Sequence, residues 1–94
     1  MSRPGTAMPS DKAARREPLT VPDCGLVGCP LRLSLWLVRE GARVREGDRV
    51  VELLAGGATI DLEAPVAGRL VAHLAEEDEE VAPGRVIAEF EAAS

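Results

Sequence analysis

The chain has no tyrosine, one tryptophan (Trp36), one phenylalanine (Phe90), one histidine (His73), one lysine (Lys12) and two cysteines (Cys24 and Cys29) in 94 residues. Each scarcity excludes something. With so few aromatics the core must be built from Val, Leu, Ile and Ala, a composition that favours strands over long helices. No apolar run reaches the roughly 18 residues that a membrane-spanning helix needs. Arg3, Lys12, Arg15 and Arg16 surround no apolar stretch, so the beginning does not read as a signal peptide. A cytoplasmic protein, or a piece of one, is expected. Zinc needs three or four protein ligands, and a Cys-x4-Cys pair with one distant histidine falls short of that. No metal site is expected, and a Cys24–Cys29 disulfide is disfavoured in a reducing compartment.

Catalytic and nucleic-acid-binding patterns are also missing. Ser34 and Thr59 have no His/Asp arrangement around them, and no glycine-rich loop precedes a helix to cradle phosphate. His73 falls in a strand pattern and reads as a partly buried, hydrogen-bonded histidine, not a general base. No catalytic residue is assigned, and the chain is not expected to be an enzyme. Residues 1–18 carry four basic and two acidic side chains, whereas 19–94 carry seven arginines against fourteen acids, which together give the net charge of −5. An acidic body argues against nucleic acid as a partner, because phosphate binding needs clustered Lys and Arg.

What is present is strand after strand. Residues 1–18 hold three prolines and no period, and read as a disordered leader before one domain at 19–94. Leu19–Pro22 reads as a short first strand. Leu31–Val38 alternates at first, which sets Leu31, Leu33 and Leu35 on one face, and then becomes apolar at Trp36-Leu37-Val38, as expected where a strand end is fully covered. Gly41 and Gly47-Asp48 mark turns, with a short strand at Val44 between them. Arg49–Leu54 and Ala58–Glu63 flank Gly56-Gly57, a pair suited to a two-residue hairpin of type I′ or II′, turns that put residues at φ > 0 where glycine is unpenalised. Arg69–Leu74 and Arg85–Glu91 complete the strands. The intervening acid run, Glu76–Glu80, reads as a solvated face and includes Asp78, a residue that tolerates φ > 0 better than most.

A shift of 37 residues superimposes Leu33 on Leu70, Trp36 on His73, Leu37 on Leu74, Glu40 on Glu77, Val44 on Val81, Gly47 on Gly84, Val50 on Ile87, Glu52 on Glu89 and Leu53 on Phe90. Neither copy alone has enough core. The two must therefore pack face to face, which predicts an all-β flattened barrel or sandwich of about eight short strands with pseudo-two-fold symmetry. The Gly-Gly hairpin falls at one end and both chain termini near the other.

From about Leu19 to Glu91 the chain resembles the biotinyl/lipoyl carrier domain family. The resemblance rests on Val21–Gly25, Trp36–Gly41, Val44–Asp48, Glu52, Ala58-Thr59, Ala64-Pro65, Gly68, Val81 and Gly84. It implies a barrel-sandwich hybrid fold and a cofactor-bearing lysine at the hairpin tip. Counted from Glu52 and back from Pro65 and Gly68, that position is Gly57. Gly56 stands where the preceding aspartate is common. An amide-linked arm needs a side-chain amine, and the chain's single lysine, Lys12, lies in the leader, so neither lipoyl nor biotin is expected to be attached. Ala58-Thr59 and the lack of flanking methionine lean to the lipoyl branch. Against the family pattern, Cys24 takes an aliphatic position and is expected to act as a small buried hydrophobe.

Two function classes follow from the resemblance. One is an unmodified protein-interaction module, expected as a monomer, that docks on a component of a multienzyme or biosynthetic system. The other is a degenerate carrier domain of a 2-oxo acid dehydrogenase-type complex. A sandwich domain of a membrane-fusion adaptor is a weaker third class, since it would need long flanking helices.

Overall fold

A computed structural model describes residues 15–23 and 30–93. Among these the chain forms strands alone: β1 (Arg16–Thr20), β2 (Leu31–Trp36), β3 (Arg43–Val44), β4 (Arg49–Ala55), β5 (Ala58–Glu63), β6 (Gly68–His73), β7 (Glu80–Val81) and β8 (Val86–Ala92). They make two four-stranded antiparallel sheets, ordered β1-β8-β6-β3 and β5-β4-β2-β7. No helix among the described residues is long and apolar enough to cross a membrane.

The 37-residue repeat is visible in the registers. Leu31 faces Ala55 and Gly68 faces Ala92; Leu33 faces Leu53 and Leu70 faces Phe90. Backbone bonds repeat as well: Gly41 N–H donates to the Leu70 carbonyl at 2.7 Å, and Asp78 N–H to the Leu33 carbonyl at 2.6 Å. The outer strands β1 and β5 are matched by a shift of 43 instead, since Leu19 faces Ala88 while Leu62 faces Val51. Strand for strand, the sheets exchange across the pseudo-two-fold axis.

Burial follows the same symmetry. Leu33, Val50, Val51, Leu53, Leu70, Ile87, Ala88 and Phe90 are fully buried between the sheets, each with its mate. No charged or polar side chain is buried among the described residues, so the core holds together by apolar burial alone. Each fully buried Leu or Phe contributes roughly 1.5–3 kcal/mol.

Three expectations need correction. First, β1 begins at Arg16, so Arg16, Glu17 and Pro18 of the expected leader pair with Glu91, Phe90 and Glu89. Proline is tolerated there because β1 is a sheet edge, where a missing N–H breaks no inner ladder. Second, Leu35 does not share the core face with Leu31 and Leu33. The register shifts between Leu33 and Leu35, and this bulge turns Leu35 outward to 44% exposure. Third, the end of β2 is not fully covered: Trp36 is half-buried and Leu37 is 44% exposed. The remainder of the leader, residues 1–14, and both cysteines lie outside the described residues.

Candidate functional site

The Gly-Gly hairpin stands where the sequence placed it. Ala55 and Ala58 form the closing pair of β4 and β5, and Gly56 and Gly57 take φ of 58° and 100°. These are the signs that a type I′ turn requires at its two central positions. Below the tip, Leu54 faces Thr59 and Leu53 faces Ile60; Leu53 is fully buried and anchors the projecting turn to the core. Gly56, Gly57, Ala58 and Thr59 are all exposed. A Cβ built on Gly57 would meet nothing within 4 Å. The tip therefore has open space for an arm, but its residues carry no amine, hydroxyl or carboxyl except the Thr59 hydroxyl. They do not fit a lipoyl or biotinyl amide.

The flank of the hairpin is acidic. Glu52 lies directly opposite Asp61, and Asp61 is held by Arg49 at 3.1 Å. Exposed ion pairs of this kind contribute little, about 0–1 kcal/mol.

A second site was missed by sequence reasoning. The repeat mates Trp36 and His73 stack face to face on the pseudo-two-fold axis, with ring centroids 4.0 Å apart and planes 12° from parallel. Around the stack the bonds are duplicated: Trp36 N–H donates to the Glu77 carboxylate at 3.0 Å, and His73 N–H to the Glu40 carboxylate at 2.7 Å. Both rings bond backbone carbonyls, Trp36 Nε1 to Ala75 and His73 Nε2 to Val38. The expected strand-borne, hydrogen-bonded histidine is found. That Trp36 and His73 are repeat mates was the one signal that could have placed them together on the axis.

The acid run forms the turn between β6 and β7. Asp78 has φ of 71°, a conformation that aspartate tolerates better than most residues. Glu79 accepts the Glu76 N–H at 2.9 Å and the Arg85 guanidinium at 2.9 Å; the Glu76 amide, and then Arg85, hold its carboxyl below the usual glutamate range. Among the described residues no group of three or more His, Cys, Asp or Glu side chains is placed to hold a metal ion.

Comparison with known proteins agrees with this architecture. The family model described as "Biotin-requiring enzyme", the biotin/lipoyl domain, matches residues 17–90. The chain is 33% identical over 70 residues to a dihydrolipoyllysine-residue acetyltransferase component of an acetoin cleaving system from Pseudomonas putida. That match covers 74% of this chain and 19% of the relative, so the chain spans a small part of the relative's length. With an eight-stranded pseudo-symmetric sandwich, an exposed tight hairpin at one end and a family match over most of its length, the chain belongs to the biotinyl/lipoyl domain family.

Proposed function

We propose that this domain works without an attached cofactor, as an unmodified protein-docking module of a multienzyme or biosynthetic system. The tip residues carry the reading. A swinging arm needs an amine at the turn, and the turn offers Gly56 and Gly57 while the chain's single lysine is Lys12. Both tip positions differ from the carrier pattern, as expected for a tip freed from modification. The relative's membership of an acetoin cleaving system supports a partner that is itself a multienzyme component. A degenerate carrier, whose acyl-transfer role has passed to another copy, is the competing reading. The two part on whether the domain still docks. Affinity capture of the domain from cells with and without active lipoyl and biotin ligases should return the same enzyme component from both. Capture of no such component from either, as expected of a degenerate carrier, or of one only when the ligases are active, would contradict the proposal.

A further inference from the structure

The two halves share one backbone plan and the Glu40/Glu77 pair at the axis, but differ in the sign of charge at two neighbouring positions. Arg39 on the β2–β3 connection and Arg43 at the start of β3 have Glu76 and Glu80 as their mates at the 37-residue shift. Of the seven arginines in 19–94, Arg32 donates to the Asp78 carbonyl, and Arg49, Arg69 and Arg85 are ion-paired with Asp61, Glu91 and Glu79. Among the described residues, the guanidinium groups of the other three, Arg39, Arg43 and Arg45, have no such partner. All three lie within seven residues of one another, in a body that carries twice as many acids as bases.

The pairing of Arg43 sharpens the contrast. On sheet β5-β4-β2-β7, Glu80 lies directly opposite Arg32, an attractive cross-strand pair. At the equivalent place on the other sheet, Arg43 lies directly opposite Arg69, a like-charge pair that costs stability. Protection of the β3 edge explains a charge there. It does not explain the sign, since a glutamate would guard the edge equally and would attract Arg69.

Arg39 and Arg43 line one open groove of about 560 Å³, whose wall is the Trp36–His73 stack. Leu37, 44% exposed, lies in the same groove. Unpaired arginines beside a flat aromatic stack and an exposed leucine make a surface for a carboxylate-rich segment with an apolar side chain. Arginine binds carboxylate in a planar fork, and the stack and Leu37 offer apolar area.

We propose that the Arg39–Arg43 groove over the Trp36–His73 stack is a docking site for an acidic protein segment bearing an apolar side chain. The proposal rests on the reading of this domain as a protein-docking module and names the chemistry of its partner. Charge complementarity favours such docking at the groove over the acidic remainder of the domain; Arg15 and Arg16 at the β1 edge, whose guanidinium groups are also without an ion pair among the described residues, offer no aromatic stack beside them.

The test uses purified, 15N-labelled protein whose intact mass is read first, so that a modified tip, which would refute the functional reading, is recognised separately from a failure of the groove. The probe is the synthetic peptide acetyl-EEDELEEDE-amide. Expected are amide shifts confined to the segment from Trp36 to Arg45 and to His73, and an affinity that falls about fivefold between 50 and 300 mM NaCl. Arg43→Glu should weaken binding about tenfold or more while leaving the spectrum folded, because it replaces the like-charge neighbour of Arg69 by an opposite charge. Arg39→Gln should weaken it less, and replacing the peptide's leucine by serine should also weaken it. Shifts centred on Gly56–Thr59, an affinity unaffected by Arg43→Glu, or no shifts would overturn the proposal. So would equal binding of inorganic polyphosphate, which would assign the groove to polyanions at large, or self-association that Arg43→Glu abolishes, which would assign it to a second copy.

Discussion

Gly68 is buried where its repeat mate is Leu31, and the reason is the Glu91 backbone. A Cβ at Gly68 would run into the Glu91 carbonyl oxygen, which is fixed in the β6–β8 ladder. Gly68→Ala should therefore cost about 3 kcal/mol, read as a lower denaturant midpoint with unchanged slope. Glu79 gives a pH test. Its carboxyl is held below the ordinary glutamate value by the Glu76 amide and Arg85, so it contributes stability above that ordinary value, near 4.3, and the contribution fades as pH falls through the lowered one. The stability gap between wild type and Glu79→Gln should thus be constant near neutrality and close progressively below about pH 4. Thermal unfolding over that range checks the sign. Trp36→Ala removes an indole that is half-buried, stacked on His73 and bonded to Ala75; we expect about 2–3 kcal/mol, less than a fully enclosed tryptophan would cost.

The hairpin of β4 and β5 was legible because its cause is local. Gly56-Gly57 between alternating strands fixes the turn and its register together, whereas the positive φ of Asp78 was suggested by the family resemblance, which commonly has glycine there. The misplaced side chains depend on events that alternation cannot register. The bulge after Leu33 inserts a residue, so Leu35 and Leu37 reverse faces, and Pro18 reads as a breaker until β1 is known to be an edge. The Trp36–His73 stack is tertiary: the repeat pairs the two positions, but only the packing of the two halves brings the rings together. The hairpin itself predicts a gain of function. Gly57→Lys, with Gly56→Asp beside it, should cost about 1–2 kcal/mol through strain at positive φ and should be lipoylated at least in part by a ligase that acts on ordinary lipoyl domains. Lys12 should stay unmodified as the internal control. A folded double variant wholly refractory to lipoylation would show that the tip differs from a carrier's in shape or exposure.

The sandwich closes only when both halves are present, because each sheet borrows strands from each repeat: β2 and β4 pair with β5 and β7, while β6 and β8 pair with β1 and β3. Unfolding should accordingly be one transition, with Trp36 fluorescence and far-ultraviolet circular dichroism coinciding; separated curves would mean that a half persists alone. The fold class, the repeat and the tip were readable from the chain because pseudo-symmetry writes the core twice. Charge was readable only as a total, since the opposite signs of the two turns acquire meaning once the axis relates them. Cofactor independence is the property on which the functional reading stands, and intact-mass spectrometry reads it directly. Protein isolated from cells with active lipoyl and biotin ligases should have its unmodified mass apart from loss of Met1, and a lipoyl or biotinyl increment on the wild-type chain would contradict it.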